Sequence, residues 1–247
     1  MVRNMDSILP KGIECVAVNP QISKTLEMFD VFYHDIFAKA FTNKDGCESY
    51  ENFLNYIAHY GKDTLYVHVL IFYNDREIIG GIVIDYFDEI KSLAIEFIVV
   101  SPQYQRQGIA GKIIKYTKAY LECKHRKSIE WIIIEIENPK FVVDNNISYL
   151  YFWEKCKMKA IDFSYIQPPL SPEKEPVEIL TLCAFNISYD VESINKNYVK
   201  EFLTLYAHYA MRIGNPLQDQ SIQKMFDELD KSKNETLDLI GLTHLLE

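Results

Sequence analysis

The feature that most restricts the fold of this chain is an apolar run that ends in a short glycine-bearing turn and leads into a helical pattern. The apolar run is Leu93–Val100, the turn contains Gly108, and helical periodicity continues from Gly111 to about Cys123. The first N–H groups of a helix have no partner within it, and the helix dipole adds partial positive charge there. Glycine also lets a ligand approach the backbone closely. The pattern therefore predicts a turn that binds a phosphate or pyrophosphate group.

Two common nucleotide-binding turns do not fit this segment. A Rossmann turn requires G-x-G-x-x-G, whereas the chain has Gly108-Ile-Ala-Gly111 with no glycine before it at the required spacing. A P-loop requires G-x-x-x-x-G-K-S/T, which does not occur in the sequence. The segment does fit Q/R-x-x-G-x-G/A, with Gln105, Gly108 and Ala110 at the fixed positions. This string resembles the coenzyme A pyrophosphate loop of the GNAT acetyltransferase superfamily.

The order of the other elements supports the same resemblance. Periodicity predicts helices, strands and turns in the order α-α-β-β-β-α-β-α-β-β. The predicted helices outside the turn segment are Thr25–Phe41, Tyr50–His59 and Ile147–Cys156, and the predicted strands are Leu65–Tyr73, Glu77–Tyr86, Leu93–Val100, Ile129–Ile136, Met158–Tyr165 and Val177–Ile187. This order resembles the GNAT fold over residues 13–188. The resemblance implies an α/β fold with a mixed, mostly antiparallel central sheet flanked by helices, plus C-terminal helices.

A second motif lies on the predicted helix after the fifth strand. The stretch Asn146–Met158 resembles the family pattern N-x-x-A-x-x-F/L-Y-E-K-x-G-F. The matching positions are Asn146, Phe152, Glu154 and Lys155. The departures are Tyr149 for a small residue, Trp153 for tyrosine, Lys157 for glycine and Met158 for an aromatic residue. Two motifs at the family's separation make chance agreement a poor explanation.

The resemblance implies that acetyl-CoA is the acyl donor. In the family, the pantetheine arm lies between two splayed strands, here Leu93–Val100 and Ile129–Ile136. The N–H of Ile98 would polarise the thioester carbonyl, and Val100 would contact the pantetheine. The residues expected around the coenzyme are Ile98, Val100, Gln105, Arg106, Gln107, Gly108, Ile109, Ala110, Gly111, Lys112, Asn146 and Trp153. Among them, Arg106 is the charge partner expected for the pyrophosphate.

Acetyl transfer to an amine also needs a base, because a free amine has a pKa near ~10. Glu96 is the only carboxylate in the run Leu93–Val100, and strand alternation predicts that it shares a face with Ile98 and Val100. The alternative is a solvated glutamate. For the acid that protonates the thiolate, Tyr149 is the candidate, since Trp153 occupies the position of the family's tyrosine. The alternative is that both aromatic residues belong to the core and water protonates the thiolate.

Other polar residues have open interpretations. His68 lies inside a predicted strand, where a structural role is the ordinary expectation. Asp85, Tyr86 and Asp88 lie near a strand end that borders the acceptor site in the family, so they either bind a cationic substrate or form a solvated turn. Glu135 and Glu137 share one face of a predicted strand and would contact acceptor or solvent.

The last part of the chain extends beyond the family's usual domain end. We therefore predict a GNAT domain over residues 1–190 and a helical extension over residues 191–247. The helices of the extension could dock on the domain, cover the acceptor site or form a homodimer contact. The segment Phe226–Asp238 resembles part of an EF-hand, but Glu235 replaces the turn glycine and Gly241 replaces the bidentate glutamate. We therefore expect no metal.

Composition limits the class of function. The 247 residues are 48% hydrophobic, which suffices for a full core, and the net charge of −9 argues against nucleic-acid binding. The five cysteines lack regular spacing, which predicts free thiols in a reducing compartment. With no apolar signal segment or membrane-length run, we expect a cytoplasmic enzyme that acts on a primary amine. The alternative is a non-catalytic acyl-CoA-binding or protein-interaction module.

Overall fold

The computed structural model describes residues 5–41, 49–58, 65–75, 77–142, 147–170 and 174–246. Contacts divide the chain into two compact units, Met1–Ile129 and Glu130–Glu247. Across the described residues the strands are β1 Ile13–Ala17, β2 Leu65–Asn74, β3 Glu77–Phe87, β4 Ser92–Val100, β5 Trp131–Glu137, β6 Lys159–Ile161, β7 Leu180–Asn186, β8 Ser193–Asn195 and β9 Thr236–Gly241. The helices are α1 Ser23–Phe32, α2 Ala38–Ala40, α3 Tyr50–Ala58, α4 Ile109–His125, α5 Ser148–Lys155, α6 Lys196–Tyr209 and α7 Gln220–Lys231.

The first unit is built on an antiparallel meander. Strands β1, β2, β3 and β4 pair in sequence order, each antiparallel to the next. Their β-branched and aromatic residues give two apolar faces, because successive side chains of a strand point to opposite sides. All of β3 after Glu77 is buried, so helices and strands cover both faces of this strand.

Helices α1 and α3 cover one face through a cluster of aromatic rings. The rings of Phe37, Phe53 and Phe97 are in contact, with centroids 5.3 Å apart for Phe37 and Phe53 and 5.0 Å apart for Phe37 and Phe97. Phe29 and Phe32 of α1 are also fully buried in this cluster. The single helix predicted over Thr25–Phe41 is interrupted, since a π-helical turn at Tyr33–Phe37 separates α1 from α2.

The second unit contains the other strands and the C-terminal helices. Strand β7 pairs antiparallel with both β5 and β6. Strand β9, from the end of the chain, pairs antiparallel with β6 on one side and β8 on the other. Helices α6 and α7 begin at side-chain caps, because Asn195 accepts hydrogen bonds from the N–H groups of Asn197 and Tyr198, and Asp219 does the same in α7.

The structure differs from the predicted elements where strands are short. Strand β1 was not predicted, and the strand predicted over Met158–Tyr165 is only β6. The tail contains β8 and β9 in addition to the predicted helices. The EF-hand-like segment leads from α7 directly into β9, and the side chain of Asp230 pairs with Lys200 at 2.6 Å. The predicted homodimer contact and the boundary at residue 190 stay predictions.

Among the described residues, no helix combines the length and the apolar character that crossing a membrane would require.

The close approach of β3 to the end of β4 depends on Gly80. A Cβ at this position would lie 2.3 Å from the carbonyl oxygen of Val99 and 3.0 Å from Cα of Val100. We expect Gly80→Ala to lower the free energy of unfolding by about 1–3 kcal/mol, because a backbone atom cannot move aside as a flexible side chain can. Urea unfolding measures the change. Gly214→Ala, where a Cβ meets nothing within 4 Å, is the control. Equal midpoints for the two variants would contradict this prediction.

Candidate functional site

The predicted anion-binding turn joins β4 to α4. Gly108 is the residue that precedes α4, and its φ of +74° lies in the left-handed region that favours glycine. The side-chain amide of Gln105 donates to the carbonyl of Val100 at 2.8 Å, which ties the turn to the end of β4. The N–H of Ser101 donates to the carbonyl of Ile79 at 2.7 Å, which ties the same strand end to β3.

The turn leaves the start of α4 open to a ligand. Among the described residues no side chain caps the helix, and its first turn contains no acidic residue. A Cβ added at Gly108 or Gly111 would meet no atom of the described residues within 4 Å, so the space beside both glycines is open to that part of the chain. The N–H groups of the first helical turn have no partner within the helix and carry the positive end of its dipole. This arrangement fits an anion.

The other predicted coenzyme residues of the first unit lie around this turn. Arg106, Gln107 and Lys112 are exposed, whereas Ile109 is buried and anchors the helix. Ala110 is half-buried, as is Ile98 on β4, and Val100 is buried at the end of that strand. Two exposed cations are thus close to the helix start along the chain, since Arg106 precedes it and Lys112 lies in the first turn. Both can pair with a phosphate oxygen.

Glu96 lies at an irregularity in β4. Val83 of β3 is opposite Phe97, but the next residue, Ile84, is opposite Ile95, so Glu96 is the extra residue of a β-bulge. The alternation that predicted a shared face for Glu96, Ile98 and Val100 does not hold across a bulge, which re-aims the side chain at that position. Phe97, next to Glu96, packs into the aromatic cluster under α1 and α3.

Glu96 contacts a second carboxyl group, that of Asp85 on β3. Asp85 is 1% exposed, and neither of its carboxylate oxygens accepts a hydrogen bond from a donor among the described residues. Two ionised carboxylates have no proton to share, so a hydrogen bond between Asp85 and Glu96 requires that one of them is protonated. Burial raises the pKa of Asp85 to about 6, against the opposing effect of the hydrogen bond with Glu96.

His68 and His125 form a pair between β2 and α4. Their Nε2 atoms lie 3.0 Å apart, so one ring donates and the other accepts, and the accepting ring is neutral. Burial, together with the neighbouring His125, lowers the pKa of His68 to about 3. The ring of Tyr86 packs against that of His125 in a tilted arrangement, and its hydroxyl donates to Asp88 at 3.2 Å. These contacts favour the structural interpretation of His68.

The predicted site residues of the second unit lie on α5. The hydroxyl of Tyr149 donates to the backbone carbonyl of Glu137 at 2.7 Å, and burial raises the pKa of Tyr149 to about 12. Trp153 is buried, and its ring contacts Phe152 with centroids 4.8 Å apart. Asn146 lies outside the described residues. Both aromatic residues therefore have structural contacts of their own.

Glu135 on β5 accepts hydrogen bonds from three directions. Tyr165 donates to Oε1, while Gln167 and Tyr206 donate to Oε2 at 2.9 and 3.1 Å. Burial raises the pKa of Glu135, and the three hydrogen bonds oppose that effect. Because Tyr206 belongs to α6, this carboxylate connects the C-terminal helix to the sheet of the second unit.

Comparison with known proteins gives the family. The model of the acetyltransferase (GNAT) family matches residues 31–142, which include β4, the glycine turn and α4. A putative GNAT acetyltransferase from Bacteroides thetaiotaomicron has the same fold, with a TM-score of 0.57, 16% identity, and coverage of 78% of this chain and 96% of that one. Residues 31–142 of the chain therefore match the GNAT acetyltransferase family, and the fold is that of a GNAT structure.

Two further GNAT-like structures were matched. A GNAT family acetyltransferase from Elizabethkingia anophelis with acetyl-CoA bound has a TM-score of 0.45 and 16% identity over 72% of this chain and 100% of that one. A spermidine N-acetyltransferase variant from Vibrio cholerae has a TM-score of 0.48 and 12% identity over 72% of this chain and 96% of that one. Among curated proteins, no sequence matches the chain.

Sequence reasoning did not identify Asp85 as a partner of Glu96 in this chain. The sequence offered one signal, since Asp85 is the only carboxylate that follows the apolar residues 78–84 of β3 within the same strand. Strand periodicity placed it near a solvated turn, whereas the structure buries it. The contact with Glu96 depends on the bulge, and no residue type in the sequence predicts a bulge at this position.

The buried carboxyl of Asp85 predicts an unusual dependence of stability on pH. In the unfolded chain Asp85 has a pKa near 3.8, whereas in the folded protein burial raises this pKa to about 6. The free energy of unfolding therefore falls as pH rises from the first value to the second. Asp85→Asn removes the effect. Between pH 4 and pH 8 we expect the unfolding free energy of the variant to gain about 2 kcal/mol relative to wild type, from ~1.36 kcal/mol per pKa unit. Urea unfolding at a series of pH values measures this difference.

The matched control is Glu89→Gln, which removes an exposed carboxyl from the turn of the same hairpin. Its stability difference from wild type should not change over the same pH range. A constant difference for Asp85→Asn would show that Asp85 ionises normally in the folded protein.

Proposed function

We propose that this protein transfers an acetyl group from acetyl-CoA to a primary amine by direct attack in a ternary complex. The observation that supports it most is the open, uncapped start of α4 behind Gly108. The family match includes this segment. A pyrophosphate is the group of acetyl-CoA that such a helix start can hold, because it carries negative charge and many acceptor oxygens.

Backbone and side-chain groups share the binding of the donor. The N–H groups of Ile109, Ala110 and Gly111 are the unpaired donors of the first helical turn. Arg106 and Lys112 supply positive charge beside them. The N–H of Ile98 is the proposed donor to the thioester carbonyl, where it would stabilise the negative charge that develops on the oxygen. Val100 is the proposed apolar contact for the pantetheine.

Glu96 is the proposed base. The acceptor amine must lose a proton to attack the thioester, and a carboxylate whose side chain is re-aimed by a bulge can reach a substrate that an ordinary strand position would not. Its half-buried state leaves part of the side chain accessible. The net charge of −9 is compatible with an acceptor that arrives as a cation, which can be a small-molecule amine or an amine of a peptide or protein.

The proton that the leaving thiolate needs has two candidate sources. Tyr149 is the acid that the sequence predicts, but its hydroxyl donates to the carbonyl of Glu137 and its pKa is raised to about 12. A group with so high a pKa gives up its proton to a thiolate unfavourably, because a thiol has a pKa near ~8.5. These contacts favour protonation by water. We place the reaction in the cytoplasm, as the free cysteines suggest.

A second candidate is a non-catalytic acyl-CoA-binding or protein-interaction module. It is favoured by the buried ring of Trp153 at the position where the family pattern has a tyrosine. Both candidates require acetyl-CoA or its parent coenzyme to bind, but only the enzyme releases free thiol when amines are added. Thiol release across a panel of primary amines separates the two.

Binding of the donor depends on the open space at Gly111. We expect Gly111→Glu to weaken acetyl-CoA binding at least about tenfold, because the new carboxylate would occupy the pyrophosphate position at the helix start with like charge. The fold should tolerate the change, since a Cβ at Gly111 meets nothing within 4 Å. Titration calorimetry with acetyl-CoA measures the dissociation constant.

The control for charge is Cys123→Glu, which adds one negative charge to an exposed position near the other end of α4. It should bind acetyl-CoA as wild type does. If the folded wild type does not bind acetyl-CoA, or if Gly111→Glu binds it equally well, the proposed donor site is wrong.

The proposed base predicts a specific loss of turnover. Glu96→Gln keeps the size of the side chain and removes its ability to take a proton, so we expect kcat to fall about 10²–10⁴-fold with little change in acetyl-CoA binding. Thiol release at saturating acetyl-CoA measures kcat. Glu89→Gln, in the same hairpin, should keep the wild-type rate. Turnover that survives in Glu96→Gln would assign the base to another group.

A further inference from the structure

We propose that Asp85 and Glu96 form one proton-accepting unit, in which Glu96 takes the proton of the acceptor amine and shares it with Asp85. Asp85 acts through Glu96 and is a positioning residue. This inference rests on the proposed function, since it names the group that supports the proposed base.

The register of the two strands places these carboxyl groups together. Asp85 of β3 lies opposite Ala94 of β4. Glu96 is two residues further along β4, so it is the diagonal neighbour of Asp85, a distance that long side chains bridge. The bulge at Glu96 then turns its side chain while the ladder resumes at Phe97. This placement brings the two carboxyl groups together, and they can share a hydrogen bond when one of them carries a proton.

The surroundings give Asp85 little else to interact with. Its opposite residue on β2 is Val67, and its opposite residue on β4 is Ala94. The charged side chains of the helices that cover this part of the sheet are exposed at the surface: Lys24, Glu27, Asp30, His34, Asp35, Lys39 and Glu51. No described donor reaches the Asp85 oxygens. An unpaired buried carboxylate is costly in free energy. A proton shared with Glu96 would therefore give the buried carboxyl group of Asp85 a hydrogen-bond partner.

The proton and electrons balance in a simple sequence. The ionised pair removes one N–H proton from the ammonium form of the acceptor, and that proton then lies in an O–H···O hydrogen bond between the two carboxyl groups. The amine nitrogen attacks the thioester carbonyl and forms the N–C bond, and the nitrogen, now positively charged, loses its second proton to water. The C–S bond breaks, and the thiolate leaves with the electron pair and takes a proton from water, so the two exchanges with water cancel. The pair finally returns its proton to solvent.

Sharing makes the pair a stronger base than a lone glutamate. Two ionised carboxylates side by side in a buried site repel each other, so the first proton to arrive is held more tightly. The pKa of Asp85, raised to about 6 by burial, points in the same direction. A base poised nearer to neutral pH removes a proton from an amine more effectively.

The test is the pH dependence of kcat/KM, measured for wild type and for Asp85→Asn with the same amine. Because the amine is the same, its ionisation contributes equally to both pH profiles. Wild-type kcat/KM should decrease as pH falls through about 6, the pKa to which burial raises the carboxyl group of Asp85. In Asp85→Asn the amide cannot ionise and donates a hydrogen bond to Glu96. The decrease of kcat/KM on the acid side of the profile, its acid limb, should therefore occur at a pH lower by at least about one unit. The rate above neutral pH should fall several-fold. Glu89→Gln should leave the profile unchanged.

A measurement without turnover tests the same pair. In the protein without substrate, carbon NMR of the side-chain carboxyl groups, assigned with Asp85→Asn and Glu96→Gln, should show Asp85 and Glu96 titrating together in two steps. Each variant should leave a single step. Independent single titrations in wild type would overturn the proposal, even if Asp85→Asn failed to fold.

The outcomes separate this proposal from the function on which it rests. If wild type acetylates amines but the acid limb of Asp85→Asn coincides with that of wild type, Asp85 is only structural and the proposal is overturned while the proposed function stands. If no amine is acetylated, the proposed function fails, and the proton-accepting role of the pair is overturned with it. The NMR titration then shows only whether the two groups share a proton.

Discussion

The antiparallel pairing of β3 with β4 is the constraint on which the candidate site of the first unit depends. At one end, Gly80 lets the two backbones approach closely just before the turn that starts α4. In the middle, the extra residue in β4 turns Glu96 toward Asp85. One ladder therefore positions both the proposed anion-binding turn and the proposed base. A shift of its register by one residue would separate these two features, because every side chain would change face.

The buried carboxyl group of Asp85 lowers the stability of this unit. A pair of apolar residues at the positions of Asp85 and Glu96 would pack against the aromatic cluster without a desolvation cost, and replacing buried charges in this way is often stabilising. The chain instead keeps a buried aspartate whose oxygens lack donors among the described residues. Strongly shifted carboxyl groups of this kind occur preferentially at functional sites, where a pKa must be matched to a task. The cost is easiest to understand if the pair acts on a substrate.

The sequence predicted the elements that have long periodic patterns and strong end signals. The meander β2–β4, the glycine turn and α4 were expected close to their observed bounds, because each has a run of apolar residues or a glycine with a physical reason to be there. Strands β1, β8 and β9 have three to six residues each, too few for periodicity to distinguish them from loops. The bulge at Glu96 was not predictable, since it is a property of how two strands pair. The burial of Asp85 likewise depends on helices far away in the chain.

The C-terminal residues are joined to the rest of the second unit by both a strand and a buried carboxylate. Strand β9 pairs with β6, and the hydroxyl of Tyr206 donates to Glu135 of β5. Glu135 also accepts hydrogen bonds from Tyr165 and Gln167, which lie in the segment between β6 and β7. Removing α6 would leave this buried carboxylate with one donor fewer, which is costly in a dry environment. These contacts cross the boundary predicted at residue 190, so the tail contributes to the stability of the sheet that carries β5, and not only to its surface.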